Sequence, residues 1–303
     1  MTRVLIHMAM LIALGVVWRR FAPPGLDADA TRRVLTGTVY RVFLPALVAA
    51  VLWRAPLGLD AARIALSAAA GVLGGLCAGW GAYRLLSAPR ATVGALVLAA
   101  AFPNATYLGL PVLEQVLGAP GRGIAIQYDL FACTPLLLTV GILFARLHGE
   151  GEMEHPLRSL MKVPPLWAAV IASGLNLAGV PCPDPLMGLL DLLAVPVVPL
   201  MLFSIGLGLS WRSLNRRALI LVLPALVIQL GMVPALVWGV GAVLGLSGDA
   251  LLGTVLEGAM PSMVLGVVIC DRFRLDTPLY AATVTLSTLL ALLTLPLWHA
   301  LAG

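Results

Sequence analysis

Long apolar runs separated by short polar clusters recur from one end of the chain to the other. Runs near 3–19, 34–53, 62–86, 92–117 and 122–146 are followed by a second set near 165–181, 186–210, 217–245, 250–271 and 277–301. A helix that crosses a bilayer needs about 20 mostly apolar residues. The pattern therefore predicts an all-α integral membrane fold of ten transmembrane helices. The most polar stretch, 147–163, holds His148, Glu150, Glu152, Glu154, His155, Arg158 and Lys162. It reads as a cytoplasmic linker between a first five-helix repeat at 1–146 and a second at 164–303, the two forming one membrane domain.

Composition strengthens this reading. Of 303 residues, 60% are hydrophobic and 11% charged, against about 25% charged in an ordinary soluble domain. The first apolar run follows Arg3 but is succeeded by Arg19 and Arg20 rather than by small residues suited to cleavage, so it is expected to be a retained helix. Cys77, Cys133, Cys182 and Cys270 are widely separated and show no metal or disulfide spacing. The net charge of +5 does not suggest nucleic acid, because the basic residues stand singly or in pairs at the ends of apolar runs.

Their placement sets a topology. Loops after the odd-numbered spans carry fourteen of the 19 basic residues, the opposite loops carry Arg3, Arg54, Arg63 and Arg122, and Arg41 lies within the second span. The positive-inside rule puts the first set in the cytoplasm and both termini outside. Five spans per half then give the halves opposite orientations, the condition for inverted repeats. Pro45 and Pro199 fall mid-span in the second helix of each half, and Pro111 and Pro261 follow them by 66 and 62 residues.

Two segments are poor continuous helices. Pro103-Asn104-Ala105-Thr106-Tyr107-Leu108-Gly109-Leu110-Pro111 combines two residues lacking an amide donor with a permissive glycine. Glu257-Gly258-Ala259-Met260-Pro261-Ser262-Met263 repeats the arrangement more simply. Interrupted backbone in a bilayer is tolerated where it is buried in protein or lines a cavity. A resumed helix presents free amides and the positive end of its dipole, which suits an anion such as a carboxylate. Asn104, Thr106, Tyr107 and Ser262 can add donors, with Gly109, Pro111, Met260 and Pro261 shaping the break. The prolines at 45, 135, 199, 224, 234 and 296 read as simple kinks.

Intramembrane ionisable residues are costly and mark function. Glu257 and Asp129 are candidate coupling groups, with location at the outer interface as the alternative for each. Asp191 reads as interfacial. Arg41 reads as snorkelling towards the cytoplasm, or else as drawing anions into an inner vestibule. Gly71, Gly75 and Gly79 form a small-residue face suited to close packing within the chain.

The sequence Pro103-Asn104 followed by Gly109-Leu110-Pro111 resembles the auxin efflux carrier family of membrane transport proteins. Val198 to Leu207 is similar to that family's seventh helix, Ala259-Met260-Pro261 to its ninth, and Leu286 to Trp298 to its tenth. The resemblance implies a ten-helix carrier whose fourth and ninth helices cross at their breaks, moving against a scaffold of helices one, two, six and seven. It implies organic anions as substrates, malonate-like or auxin-like, with Asn104 holding the carboxylate and Pro111 and Pro261 at the crossing. It also allows homodimers joined through scaffold helices. The third span departs from the plant pattern: Ser67 to Tyr83 holds no charge where an Asp and a Lys are expected.

Secondary transport of a small organic anion across the inner (plasma) membrane by alternating access is the function these features favour, with lipid as surroundings and no cofactor. No P-loop supports ATP coupling, and no cluster of acids, nucleophiles or His ligands supports an embedded enzyme. A sodium-coupled symporter of the bile-acid type, and a channel or sensor on a carrier fold, are the alternatives.

Overall fold

The computed structural model describes every residue except 1, 23–25, 56, 151–157, 159–160 and 210–215. Glu152, Glu154 and His155 of the expected linker, and Arg212 of the charge pattern, lie outside the described residues. The chain is helical: α1 (Thr2–Phe21), α2 (Ala28–Leu52), α3 (Leu59–Leu85), α4 (Arg90–Ala101), α5 (Leu110–Leu117), α6 (Ala119–His148), α7 (Pro164–Leu177), α8 (Asp184–Gly208), α9 (Leu219–Val243), α10 (Gly248–Gly258), α11 (Gly266–Arg272) and α12 (Thr277–Ala302). Six of these, α2, α3, α6, α8, α9 and α12, are long and apolar enough to cross a membrane. The expected fourth and ninth spans are each divided in two, as α4 with α5 and α10 with α11. The expected sixth is the 14-residue α7, about 21 Å at 1.5 Å per residue.

Proline chemistry explains a repeated irregularity. Leu44, Leu110, Thr134 and Val233 each donate to the carbonyl five residues back, closing wide π-turns over Val39–Phe43, Ala105–Gly109, Asp129–Cys133 and Ile228–Met232. Each turn ends two residues before a proline: Pro45, Pro111, Pro135 or Pro234. A proline in a helix removes one amide and crowds the carbonyl four residues back. Widening the turn relieves that crowding without ending the helix. These four prolines are thus absorbed into continuous helix. That corrects the expectation for Pro111, which stands at the start of α5 and not in the interruption.

Packing sorts the helices into two groups. α1 lies along α8, and α2 packs on α7 and α8; α3 packs on α4 and α9, and α10 on α6 and α9. Glycine permits the closest approaches. A Cβ on Gly15 would fall 2.2 Å from the Phe203 carbonyl oxygen, and one on Gly206 would fall 2.0 Å from that of Ile12. The Gly71/Gly75/Gly79 face packs within the chain, with Gly75 against Ala100 and Ala101 of α4 and Gly71 against Val237 of α9. Exposed leucines and valines line the outer faces of α1, α8 and α9, as lipid-facing surfaces require.

Candidate functional site

The two interruptions meet. After Ala101 the chain leaves the helix, Phe102 is extended, and Pro103 stands opposite Ser262 in a one-pair antiparallel bridge. The Asn104 amide donates to the Pro261 carbonyl at 2.7 Å, and the Met263 amide donates to the Phe102 carbonyl at 3.0 Å. Pro103 occupies the position whose own amide takes no part in this pairing, so its missing N–H costs nothing there.

Unpaired backbone groups in a bilayer cost several kcal/mol each, and the groups freed by these breaks are met by side chains from distant elements. Ser262 Oγ donates to the Ala99 carbonyl at the end of α4, at 2.7 Å. Gln229 Nε2, on the π-turn of α9, donates to the carbonyls of Met260 at 3.0 Å and Gly258 at 3.3 Å. The Tyr280 hydroxyl donates to the Met263 carbonyl at 2.9 Å, and the Ser262 amide donates to Ser287 Oγ at 3.1 Å. Gln229 and Tyr280 are absent from the site expected from sequence, since nothing local marks either as a partner of a break.

Beside the bridge lies a cavity of about 60 Å³ lined by Tyr40, Asn104, Thr106, Tyr107, Asp129 and Met263, among others. A water occupies roughly 10–15 Å³ by this measure, so the space holds a handful of waters or one small solute. Asn104 is 2% exposed and its Nδ2 has no partner among the described residues. Its carbonyl accepts from the amides of Leu108 and Gly109 at 3.1 and 3.0 Å. Ala105, Thr106 and Tyr107 open the resumed helix, where amides lack intrahelical acceptors, and all three line the cavity. Asp129 accepts hydrogen bonds from the hydroxyls of Thr106 and Thr134.

Of the residues expected to contact substrate, Asn104, Thr106 and Tyr107 line this cavity; Gly109, Pro111, Met260, Pro261 and Ser262 are buried outside its lining. Ser262 and Pro261 hold the bridge together, and Gly109 makes room for Glu257. Glu257 is fully buried, its carboxylate lies against Gly109, and neither oxygen has a hydrogen-bond partner among the described residues. Asp129 is 8% exposed. Both acids are thus buried among the helices, Glu257 just before the second break and Asp129 on the wide turn of α6. Asp191 is exposed and holds Arg54 through both oxygens, at 2.9 and 3.2 Å. Arg41 is exposed on its π-turn and lines none of these cavities.

A larger cavity, about 680 Å³, opens elsewhere and is lined by Arg54, Asp60, Arg122, Gln127, Asp191 and Asp249, among others. Adjoining the Asn104 cavity, with which it shares Leu44, Thr106, Asp129 and Leu130, is a void of only about 10 Å³, also walled by Val48, Leu110 and Ile126. That is room for one water.

The family model described as membrane transport protein matches residues 4–299. The chain belongs to the auxin efflux carrier family of membrane transport proteins. Its relatives in the family include an uncharacterized transporter of Methanothermobacter thermautotrophicus, 30% identical over 98% of this chain and 97% of that protein. The uncharacterized transporter YfdV of Escherichia coli is 27% identical over 72% of this chain and 71% of its own length. With its apolar helices, family membership makes this a multi-pass membrane transporter.

Proposed function

We propose that the chain carries a small organic anion across the plasma membrane by alternating access, the anion's carboxylate binding at Asn104. The observation that carries the reading is the buried Asn104, in the lining of a small cavity where two interrupted helices meet, whose Nδ2 has no acceptor among the described residues. A buried polar group left unpaired costs about 1–3 kcal/mol, and a carboxylate supplies the missing acceptor. The amides of the resumed helix at Ala105 to Tyr107 and the positive end of its dipole favour the same charge. At about 60 Å³ the cavity suits a malonate-sized acid better than an indole acid, which requires the surrounding helices to open further.

In this reading α1, the six long helices, α7 and the two divided pairs make ten spans in two inverted five-helix repeats, with both termini outside. α1, α2, α7 and α8 are the scaffold, and the remainder moves against it. The apolar constriction beside Asp129 favours a carrier over an open channel. The coupling groups are Asp129 and Glu257. Two unit charges 4 Å apart repel by about 4 kcal/mol at the effective dielectric of a protein site. An anion sharing a cavity with the Asp129 carboxylate therefore needs a proton or cation to travel with it.

Thermal stabilisation of the detergent-purified protein by a panel of mono- and dicarboxylates tests the assignment. A selective shift is expected, and Asn104→Ala should weaken it about tenfold, the effect of losing one hydrogen bond to a charged group. Unchanged affinity in a folded Asn104→Ala protein removes Asn104 from the site; stabilisation by sodium alone, with no carboxylate effect, removes the anion reading.

A further inference from the structure

A second cavity touches the first. It has a volume of about 70 Å³ and is lined by Arg32, Thr36, Tyr107, Ser204, Val264 and Leu265, among others. Tyr107 and Leu265 also line the Asn104 cavity, so the two spaces share a wall. Arg32 comes from α2, Ser204 from α8, and Tyr107 from the turn that follows the break.

Two features mark this space as a ligand site. Ser204 is 3% exposed, lines the cavity, and its hydroxyl has no hydrogen-bond partner among the described residues. Arg32, half-buried, makes no hydrogen bond or ion pair through its guanidinium with any described residue. The nearby acid, Asp29, is held instead by Arg19, at 2.9 and 3.4 Å to its two oxygens. A Cβ at Gly208 would lie 2.6 Å from Arg32 Nη1, so the bare glycine lets the guanidinium lie close against the end of α8. A forked cation and a desolvated hydroxyl on two residues that line one small space match a carboxylate, whose two oxygens can accept from both.

We infer that this cavity is a second carboxylate-binding site, a station on the cytoplasmic side where Arg32 and Ser204 hold the anion before or after it passes Tyr107 to Asn104. The inference rests on the anion-carrier reading for its ligand. Its volume admits a carboxylate group of a small solute but not a lipid headgroup with its glycerol. Arg32 also supplies a countercharge that the Asn104 cavity lacks: the charged residue lining that space is Asp129. An anion thus meets a cation at the inner station and a neutral amide at the break.

The test uses full-length protein in detergent with malonate as probe. Thr36→Cys places a thiol in the wall of the cavity without altering Arg32, Ser204 or Tyr107, and its rate of modification by a small thiosulfonate is compared with that of the parent, whose own cysteines give the background. Malonate should slow modification, and the protection should survive Asn104→Ala but be weakened about tenfold by Arg32→Gln, as expected for loss of one charge-assisted partner. Protection that disappears in Asn104→Ala, or persists in Arg32→Gln, overturns the second site. Protection by phosphatidylglycerol micelles with none from malonate overturns it too, as a lipid site. Protection that depends on Arg32, in a protein whose malonate-induced thermal shift ignores Asn104→Ala, keeps this site and refutes the one at the break. If the thiol cannot be modified, malonate titration decides: the stabilisation left in Asn104→Ala should vanish in Asn104→Ala/Arg32→Gln, and its persistence overturns the proposal.

Discussion

Gly109→Ala probes the contact between the two interrupted segments directly. A Cβ at this position would fall 2.2 Å from Glu257 Oε2, 2.4 Å from Oε1 and 2.6 Å from Cδ. Ordinary contact begins near 3.4 Å, so the nearest oxygen must retreat by 3.4 minus 2.2, about 1.2 Å. Glu257 is fully buried and lines none of the cavities described above. Overpacking of this kind costs about 1–3 kcal/mol. Reversible unfolding by dodecyl sulfate titration of mixed micelles measures that loss as a free energy. Glu257→Ala removes the obstructing carboxylate, so the double variant should lose less than the sum of the single losses, with a coupling of about 1 kcal/mol or more. Gly231→Ala is the control, since nothing lies within 4 Å of the place its methyl would occupy; it should be neutral or slightly stabilising. Strict additivity of Gly109→Ala and Glu257→Ala, or a Gly109→Ala protein as stable as its parent, would refute the contact.

Gln229→Leu keeps the side-chain volume but strands the Met260 and Gly258 carbonyls. Of the two bonds only the one at 3.0 Å is short enough to count in full. The loss should be roughly 1–2 kcal/mol in the same titration, between an average intramembrane hydrogen bond and the full cost of a buried unpaired carbonyl; an unchanged midpoint would show that water or another group caps the break. Glu257→Gln preserves shape where the carboxylate has no hydrogen-bond partner among the described residues, so folding stability should hold or rise. If Glu257 couples transport to protons, initial uptake rates in proteoliposomes should lose their pH dependence in this variant, and an unaltered pH profile would exclude it as the coupling group.

Local chemistry was readable in the sequence, and long-range partnership was not. The interruptions at Pro103-Asn104 and Pro261 showed because proline and glycine act on the backbone within a turn. The position of the first break within its segment did not. Pro103 and Pro111 look alike in sequence, and only the wide turn at Ala105–Gly109 absorbs the second while the first is left at the bridge. Gln229 and Tyr280 were silent because each acts on a carbonyl many residues away in the chain, as did Gly15 against α8. Arg32 read as one more charge in a topology count. Only its place beside Ser204 separates it from the other basic residues of that face.

The short turn after the first break gives the proposed alternation a physical handle. Thr106 lines the narrow void and holds Asp129, while its neighbour Tyr107 lines the cavity of Arg32. Consecutive side chains on such a turn point in different directions, so one turn lines both spaces at once. The turn is fixed at its start by the Asn104–Pro261 hydrogen bond and at its end by Gly109 against Glu257. Both anchors belong to the second interrupted segment. A shift of α10 and its break relative to the scaffold therefore carries Thr106 and Tyr107 together. In the proposed alternation, that shift would open one route as it narrows the other, with no need for separate gates.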